Sequence, residues 1–317
     1  MIDPRRLALL REVVRHGSFS RAAHALFLTQ PAVSRQIAKL EQEAGVRLLE
    51  RTPRGLQLTE AGRVALDRAE AIAGQLAAAE AELEAIATLG AGRLRLCAFP
   101  TAASTLVLEA IRIFRARHPG VELSFLEAGT RAAIQRLRSG DVDLALAFRE
   151  RGEPAPASWE GLHAEHLLVD PLYVAVAEDH SLAGKDAIRL RDLRDEGWIQ
   201  AVQAGPTGIT YRACVAAGFE PRIVHLSDHA PITQGLVAAG VGVTLISSLS
   251  VPQARNDIAI RPLKPSGPER DVFAVSLPGA LRPPAITAMV EILRELAPSY
   301  GAARKSAAVR PSSAAAS

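Results

Sequence analysis

The stretch SFSRAAHALFLTQPAVSRQIAKLEQEAG, residues 18–45, does most to restrict what this chain can fold into. Its apolar residues recur at helical spacing on both sides of a short polar turn, and neither helix is long enough to persist without packing against a neighbour. A helix over residues 4–16 precedes it, with Leu7, Leu10, Val13 and Val14 at helical spacing; Gly17 ends that helix and the Ser18 hydroxyl is expected to cap the next. Helix two then runs to about Leu26 with Phe19, Ala22, Ala23 and Leu26 inward. The turn Phe27-Leu28-Thr29-Gln30 leads into Pro31, which suits a first helical turn because its missing N–H would be unpaired there anyway. Helix three, about residues 31–44, buries Val33, Ile37 and Leu40, turns Ser34, Arg35, Gln36 and Lys39 outward, and ends at Gly45.

Residues 46–58, VRLLERTPRGLQL, read as two short strands joined by Thr52-Pro53-Arg54-Gly55, a hairpin with basic residues at its tip. Three helices followed by such a hairpin make a winged helix-turn-helix. Charge is distributed to match. Residues 1–58 carry ten Lys or Arg against five Asp or Glu, a balance of +5, whereas residues 59–91 carry two against six, a balance of −4. A polyanion would meet the N-terminal part.

The second helix of a helix-turn-helix puts its N-terminal half into the major groove of DNA while the first crosses the backbone. That would bring Pro31, Ser34 and Arg35 nearest the base edges, with Thr29 and Gln30 at the helix start in reach of a phosphate. Arg35 is the best base reader, since its planar fork can pair bidentately with guanine; Lys39 is better suited to phosphate. Arg51 and Arg54 on the hairpin would lie along the flanking minor groove or backbone, an attraction that weakens with salt. Each cation alone is more readily a solvated surface charge than a DNA contact, and it is their combination on one scaffold that points to DNA.

From about Thr59, which is expected to cap it, to Leu89 only Gly62 and Gly74 interrupt a helical pattern. Gly62 reads as a weak point. Ala65, Ala69, Ile72, Leu76, Ala79, Leu83 and Ile86 fall at alternating spacings of four and three, a heptad seam suited to dimerisation, or else to a helix lying on its own domain. Gly90-Ala-Gly92 reads as a hinge. Strands and helices then alternate: strands over 93–99, 121–126 and 144–148 with helices over 102–117 and 131–139 predict a parallel βαβαβ unit. A second set follows, with strands over 172–177, 198–202, 222–226 and 243–246 and helices over 209–217 and 232–239. A strand over 271–276 and a helix over 284–296 are expected to return to the first sheet, leaving two α/β lobes with a cleft between them. The expected division is 1–58, 59–89, and 90–300, the last split into lobe I (about 92–165 and 268–300) and lobe II (about 166–267), with 301–317 a disordered tail.

FSRAAHALFLTQPAVSRQIAKLEQEAGVRLLERTPRGLQLTEAG closely resembles the N-terminal signature of LysR-type transcriptional regulators: the Ala-Ala pair of helix two, the Gln-Pro-Ala-Val-Ser start of helix three, Leu-Glu near its end, and Leu-Thr-Glu-Ala-Gly opening the linker. RLRLCAFPTAASTLVLEAIRIFRARHPGVELSFLEAGT and LRSGDVDLALAF resemble the start of that family's effector-binding domain. The resemblance covers about residues 4–296. It implies an α/β multidomain chain with an N-terminal winged helix-turn-helix, a long linker helix and a C-terminal two-lobed periplasmic-binding-protein-like domain, cytosolic and homotetrameric. Ser18, Thr29, Gln30, Pro31, Ser34, Arg35, Lys39, Arg51 and Arg54 are then the candidate contacts to double-stranded promoter DNA.

For the effector, ligands of open α/β sheets bind beyond the C-terminal strand ends, where helix N-termini favour anions. Pro100, Thr101 and Ser104 follow the first strand, Thr130 opens the next helix and Phe148 ends the third strand; Val202, Gln203 and Thr207 face them from the other lobe. Thr101 and Ser104 are the first-choice contacts, with simple helix capping the lesser alternative, whereas an ordinary loop turn would explain Gln203 and Thr207 equally well. A small, anionic effector is the expectation.

Other chemistries find little support. Neither HExxH, GxSxG nor a Walker loop is present, His225, Asp228 and His229 are only loosely grouped, and Cys97 and Cys214 form no CxxC, so neither a metal, a cofactor, a disulfide nor an enzymatic activity is expected. A lone cysteine is more often a small core residue than a redox switch. The charges interleaved through the first residues, and the lack of a long uncharged apolar run, predict neither a secretory signal nor a membrane span. The rival readings, a solute-binding protein or an enzyme on the same bilobal fold, would require a signal peptide or a cleft holding a general acid, base or nucleophile.

Overall fold

A computed structural model of the chain describes residues 2–52, 55–87, 92–202, 208–278 and 283–301. Helix α1 (Pro4–His16) starts at Asp3, whose carboxylate accepts the Arg5 N–H at 2.9 Å. Helices α2 (Phe19–Ala25) and α3 (Gln30–Ala44) follow, and α1 and α3 each end on a glycine in the left-handed conformation, Gly17 at φ 61° and Gly45 at φ 70°. Ser18 does occupy the N-cap of α2, but its hydroxyl makes no capping bond, contrary to expectation. The helix is held by packing instead, since Ala22 and Ala23 are buried among Leu7, Leu10, Val13, Val33, Ile37 and Leu40.

Strands β1 (Leu49–Thr52) and β2 (Gly55–Leu58) pair antiparallel as the expected hairpin, from Leu49 opposite Leu58 to Thr52 opposite Gly55. The Glu41 carboxylate fastens it to α3 by accepting the N–H groups of Leu48 and Leu49 at 2.8 and 3.1 Å. Helix α4 (Glu60–Ala87) is capped by Thr59, whose hydroxyl accepts the Gly62 N–H at 2.9 Å and donates to the Arg47 carbonyl at 2.8 Å. Gly62 is not a weak point. A Cβ there would lie 2.0 Å from the Leu48 carbonyl oxygen, so glycine is what lets α4 approach the hairpin.

The heptad seam of α4 divides. Ala69 is buried and Ala65 half-buried against the N-terminal core, while Ile72 and Leu76 remain 39% and 60% exposed; the side chains of Leu83 and Ile86 lie outside the described ones. The expected hinge also lies outside the described residues up to position 91.

Strand β3 (Arg93–Ala98) leads into a helical run made of α5 (Pro100–Ala102), a wider π turn (Ala103–Val107) and α6 (Leu108–Arg117). The Thr105 hydroxyl donates to the Thr101 carbonyl at 2.7 Å, a side-chain bond that competes with the helix ladder where it widens. Strand β4 (Glu122–Glu127), helix α7 (Thr130–Arg138) and strand β5 (Leu144–Glu150) complete the parallel βαβαβ unit, with β3 between β4 and β5. The linker touches this unit. A Cβ on Gly74 would lie 2.4 Å from the Arg138 carbonyl oxygen, and one on Gly140 would lie 2.6 Å from the Ala77 Cβ.

The largest difference from the sequence reading is strand β6 (His163–Ala177), of which only 172–177 is evident as a strand in the sequence. Its first half, HAEHLLVDP, holds only the three-residue apolar run Leu167-Leu168-Val169 between charged and polar residues, and a Pro at 171. Residues 163–171 pair with β13 (Glu269–Ser276), which lies antiparallel between β5 and β6, whereas 172–177 pair with β10 (Thr244–Ser247) on one side and β11 (Ile258–Arg261) on the other. One seven-stranded sheet therefore runs through both lobes in the order β10-β6-β13-β5-β3-β4, with β11 beside β6. Besides these, β7 (Ile188–Arg189) pairs parallel with β12 (Leu263–Lys264), and β8 (Gly197–Gln200) with β9 (Arg222–Leu226); α8 (Ile209–Ala216), α9 (Ala230–Ala238) and α10 (Pro284–Gly301) complete the fold. As the sequence predicts, β13 and α10 return to the first sheet, where Met289, Val290 and Leu293 pack with Leu94, Leu96, Leu106 and Phe114.

Candidate nucleic-acid interface and interlobe cleft

On α3 the alternation of Val33, Ile37 and Leu40 inward leaves Arg35 and Lys39 exposed one turn apart. Neither makes an ion pair or hydrogen bond among the described residues. Some other cations of the same unit are engaged: Arg6 binds Glu43 at 2.5 Å and the Gln36 side chain at 3.0 Å, and Arg11 donates to the Ser139 carbonyl at 3.2 Å. Desolvation by partial burial would raise the Glu43 carboxyl, but the Arg6 guanidinium and the Asp3 N–H together hold it below its ordinary range. Thr29 is the N-cap of α3 and makes no side-chain capping bond, so its exposed hydroxyl is open beside Gln30 and Pro31 at the helix start; Ser34 is half-buried on the same side as Arg35. Arg54 lies outside the described residues, as does the Arg51 side chain.

The cleft candidates converge in part. Thr101, half-buried, accepts a hydrogen bond on its hydroxyl from Arg270 at 3.0 Å. The Arg270 guanidinium stacks over the Phe148 ring at 4.3 Å and lies 5.3 Å from Phe99, and the two rings meet edge to face at 4.9 Å. The Thr130 hydroxyl accepts the Phe148 N–H at 3.2 Å, tying the start of α7 to the end of β5. Pro100 is exposed beside them. Neither Thr101 nor Ser104 caps a helix; the Ser104 hydroxyl faces the Thr101 carbonyl at 3.5 Å, and the Ser104 carbonyl accepts from the Gln253 amide at 2.6 Å. From the other lobe, Val202 is half-exposed, with its N–H on the Asp228 carboxylate at 2.9 Å; Gln203 and Thr207 lie outside the described residues.

The sequence reading missed the polar centre of this site. Asp170, fully buried at mid-β6, accepts hydrogen bonds from Ser247 (2.8 Å), Ser248 (2.8 Å) and Arg270 (Nε at 2.9 Å). These residues meet where the sheet passes from β13 to β10 as partner of β6. In sequence they read as loop and strand-end residues separated by some 77 to 100 positions, and no local signal joins them. Also unforeseen is a tie between the lobes, in which Arg212 on α8 donates through Nε to the Glu150 carboxylate at the end of β5 at 2.9 Å. Among the described residues there is no cluster of His, Cys, Asp or Glu fit to hold a metal, and no helix long and apolar enough to cross a membrane.

Comparison with known proteins bears on both parts. Residues 4–63 match the family model "Bacterial regulatory helix-turn-helix protein, lysR family", and residues 87–298 match "LysR substrate binding domain". The chain is 31% identical to the HTH-type transcriptional regulator CbbR of Rhodospirillum rubrum over 92% of its own length and 96% of that protein's. It is likewise 31% identical to the HTH-type transcriptional regulator AlsR of Bacillus subtilis, over 82% and 85% of the two chains. Among solved structures, full-length CbnR complexed with its target DNA shares the fold at a TM-score of 0.59 and 23% identity, covering 93% of this chain and 99% of that one. A full-length OxyR variant from Pseudomonas aeruginosa does so at 0.66 and 24%, covering 93% and 95%. These relatives are named transcriptional regulators, which favours regulation over the solute-binding and enzymatic alternatives. With an N-terminal winged helix-turn-helix and a C-terminal two-lobed α/β effector-binding domain, the chain belongs to the LysR family of transcriptional regulators.

Proposed function

We propose that α3 enters the major groove of promoter DNA, with Arg35 pairing to a guanine edge and Pro31 and Ser34 beside it. Thr29, Gln30, Lys39 and Ser18 meet phosphate, and Arg51 and Arg54 of the hairpin lie along the flanking groove. The observation that carries this reading is the isolation of Arg35 and Lys39: both are exposed and without a partner among the described residues, on the helix whose opposite face is the domain core. A cation meant only for internal pairing would resemble Arg6, which is held by Glu43.

Between the lobes, the effector is a small anion received by Thr101, Ser104, Thr130 and Phe148 from one side and Val202, Gln203 and Thr207 from the other, with Pro100 at the rim. Support comes from the meeting of Thr101 and Phe148 on the Arg270 guanidinium. Such a ligand alters regulation only by binding one arrangement of lobes better than another. Two copies associate through the exposed Ile72 and Leu76 stripe of α4, and dimers pair into a tetramer that works in the cytosol.

The test is selection of duplexes from a random pool by the purified protein, then footprinting of the selected site at several salt concentrations. Protection over several helical turns, falling steeply with salt, is expected. Arg35→Ala should abolish discrimination among sequences while leaving the oligomer intact; equal affinity of variant and wild type for the selected site would refute the assignment. Thr101→Ala with Ser104→Ala should remove the effector response and spare DNA binding.

A further inference from the structure

Helix α2 ends in the hydrogen-bond pattern that turns a chain sharply out of a helix: the Phe27 N–H donates to the His24 carbonyl at 3.2 Å and the Leu28 N–H to the Ala23 carbonyl at 2.8 Å. This pattern places the residue after the cap in the left-handed region, where glycine is at home. At the ends of α1 and α3 the chain has Gly17 and Gly45 in that conformation; at the end of α2 it has Phe27, at φ 56°, the one non-glycine residue with positive φ among those described. For a residue with a Cβ this conformation is disfavoured by about 1–2 kcal/mol.

The ring gains nothing in return from the free chain. Phe27 is 97% exposed, whereas the next most exposed large hydrophobic among the described residues, Leu76, stands at 60%. Burying such a ring elsewhere stabilises a protein by about 1.5–3 kcal/mol. Backbone and solvation therefore both oppose phenylalanine here, and Asn or Gly would serve the turn better on both counts. Strain of this kind marks positions whose reward comes from outside the free fold.

What comes to this surface is set by its neighbours. Phe27 lies two residues before Thr29, the N-cap of α3, on the approach to the helix end that carries Gln30, Pro31 and the exposed Arg35. We propose that the Phe27 ring is an apolar DNA contact at the rim of the major groove, packing on thymine methyl groups or deoxyribose C–H groups next to the base edges read by α3. This rests on reading α3 as the helix that enters the groove. Such a contact neutralises no phosphate, so it adds affinity without adding to the salt dependence.

The experiment measures binding of full-length protein to the duplex selected above, across a salt series, for wild type, Phe27→Asn, Phe27→Leu and Arg35→Ala. Asn tolerates the left-handed backbone and removes the ring; Leu keeps both the strain and an apolar side chain. Phe27→Asn is expected to bind about tenfold more weakly, or 1.4 kcal/mol, with an unchanged salt slope, while Phe27→Leu keeps most of the affinity. Replacing thymines of the site by uracil should weaken wild type but not Phe27→Asn if methyl groups are the partner, and should spare both if the sugars are. Phe27→Asn binding as tightly as wild type at every salt concentration would overturn the proposal. So would a changed oligomeric mass by light scattering without DNA, which would assign the ring to a second copy of the chain. If Arg35→Ala loses discrimination and Phe27→Asn loses nothing, only the Phe27 contact fails; if Arg35→Ala also loses nothing, the helix assignment fails with it.

Discussion

Asp170→Ala removes the acceptor on which the lobe junction converges. In the native chain the carboxylate is fully buried and takes both serine hydroxyls as well as Arg270, whose side chain is 10% exposed. Without it, the guanidinium remains out of water with, among the described residues, the Thr101 hydroxyl and two aromatic faces as company, and the Ser247 and Ser248 hydroxyls lose their acceptor. Breaking a buried ion pair by deleting one partner costs about 3–5 kcal/mol, and the orphaned hydroxyls place this case toward the upper part of that range. For a domain of this size that corresponds to a fall in melting temperature of about 10 °C. The chain's two tryptophans, Trp159 and Trp198, are both buried in the C-terminal part, in separate apolar clusters, so their fluorescence during urea unfolding reports on that part within the full protein. The double variant Asp170→Asn with Arg270→Met has no buried charge to strand and should recover about half of the loss. A cost below about 1 kcal/mol for Asp170→Ala, or a double variant as unstable as the sum of its single changes, would show that the buried pair does not hold the junction.

Other perturbations follow from particular contacts. Gly62→Ala would stabilise an ordinary exposed helix by about 0.5–1 kcal/mol, but here the added Cβ meets the Leu48 carbonyl at 2.0 Å, so thermal melts should show a loss of about 1–3 kcal/mol. Glu70 has its carboxyl raised above the ordinary range, by partial burial and then by the charge of Asp67, against the opposing pull of Arg11 and Arg138. The folded state therefore holds that proton more tightly than the unfolded state, and stability contributed by this group grows as pH falls through the raised value; Glu70→Gln should raise the melting temperature at neutral pH and flatten that dependence. Burial pushes the Cys214 thiol up to about 12 and also raises Cys97, so neither should react with an alkylating reagent at neutral pH until the protein is unfolded. Rapid modification of the native protein would contradict that burial.

The sequence was most legible where structure is local. Apolar spacing and helix-ending glycines gave α1, α2 and α3 nearly to the residue, and the same outward face held Arg35 and Lys39. In the parallel unit, periodicity and strand length located β3, β4 and β5 within a residue or two at most ends. Helix α4 was legible as an element, but not in its partners: the heptad spacing of Ala65, Ala69, Ile72 and Leu76 is one pattern in sequence, and packing turns the first two inward while leaving the last two open.

By itself, then, the sequence determined the winged helix-turn-helix, the long linker, the alternation of strands and helices and the cation-bearing face of α3, because these depend on side-chain spacing along one element and on residues that start and stop it. Only the tertiary structure decided that β6 runs through both lobes, that Asp170 gathers Arg270, Ser247 and Ser248 at their junction, that Gly62 and Gly74 are points of close approach, and that Phe27 stands strained and exposed beside the start of α3. Those features arise from groups distant in sequence meeting in a dense interior, or from a turn whose backbone is set by the helices on either side. Hydropathy along the chain carries no record of which distant groups will meet, because a buried carboxylate and a solvated one are the same letter until packing removes the water.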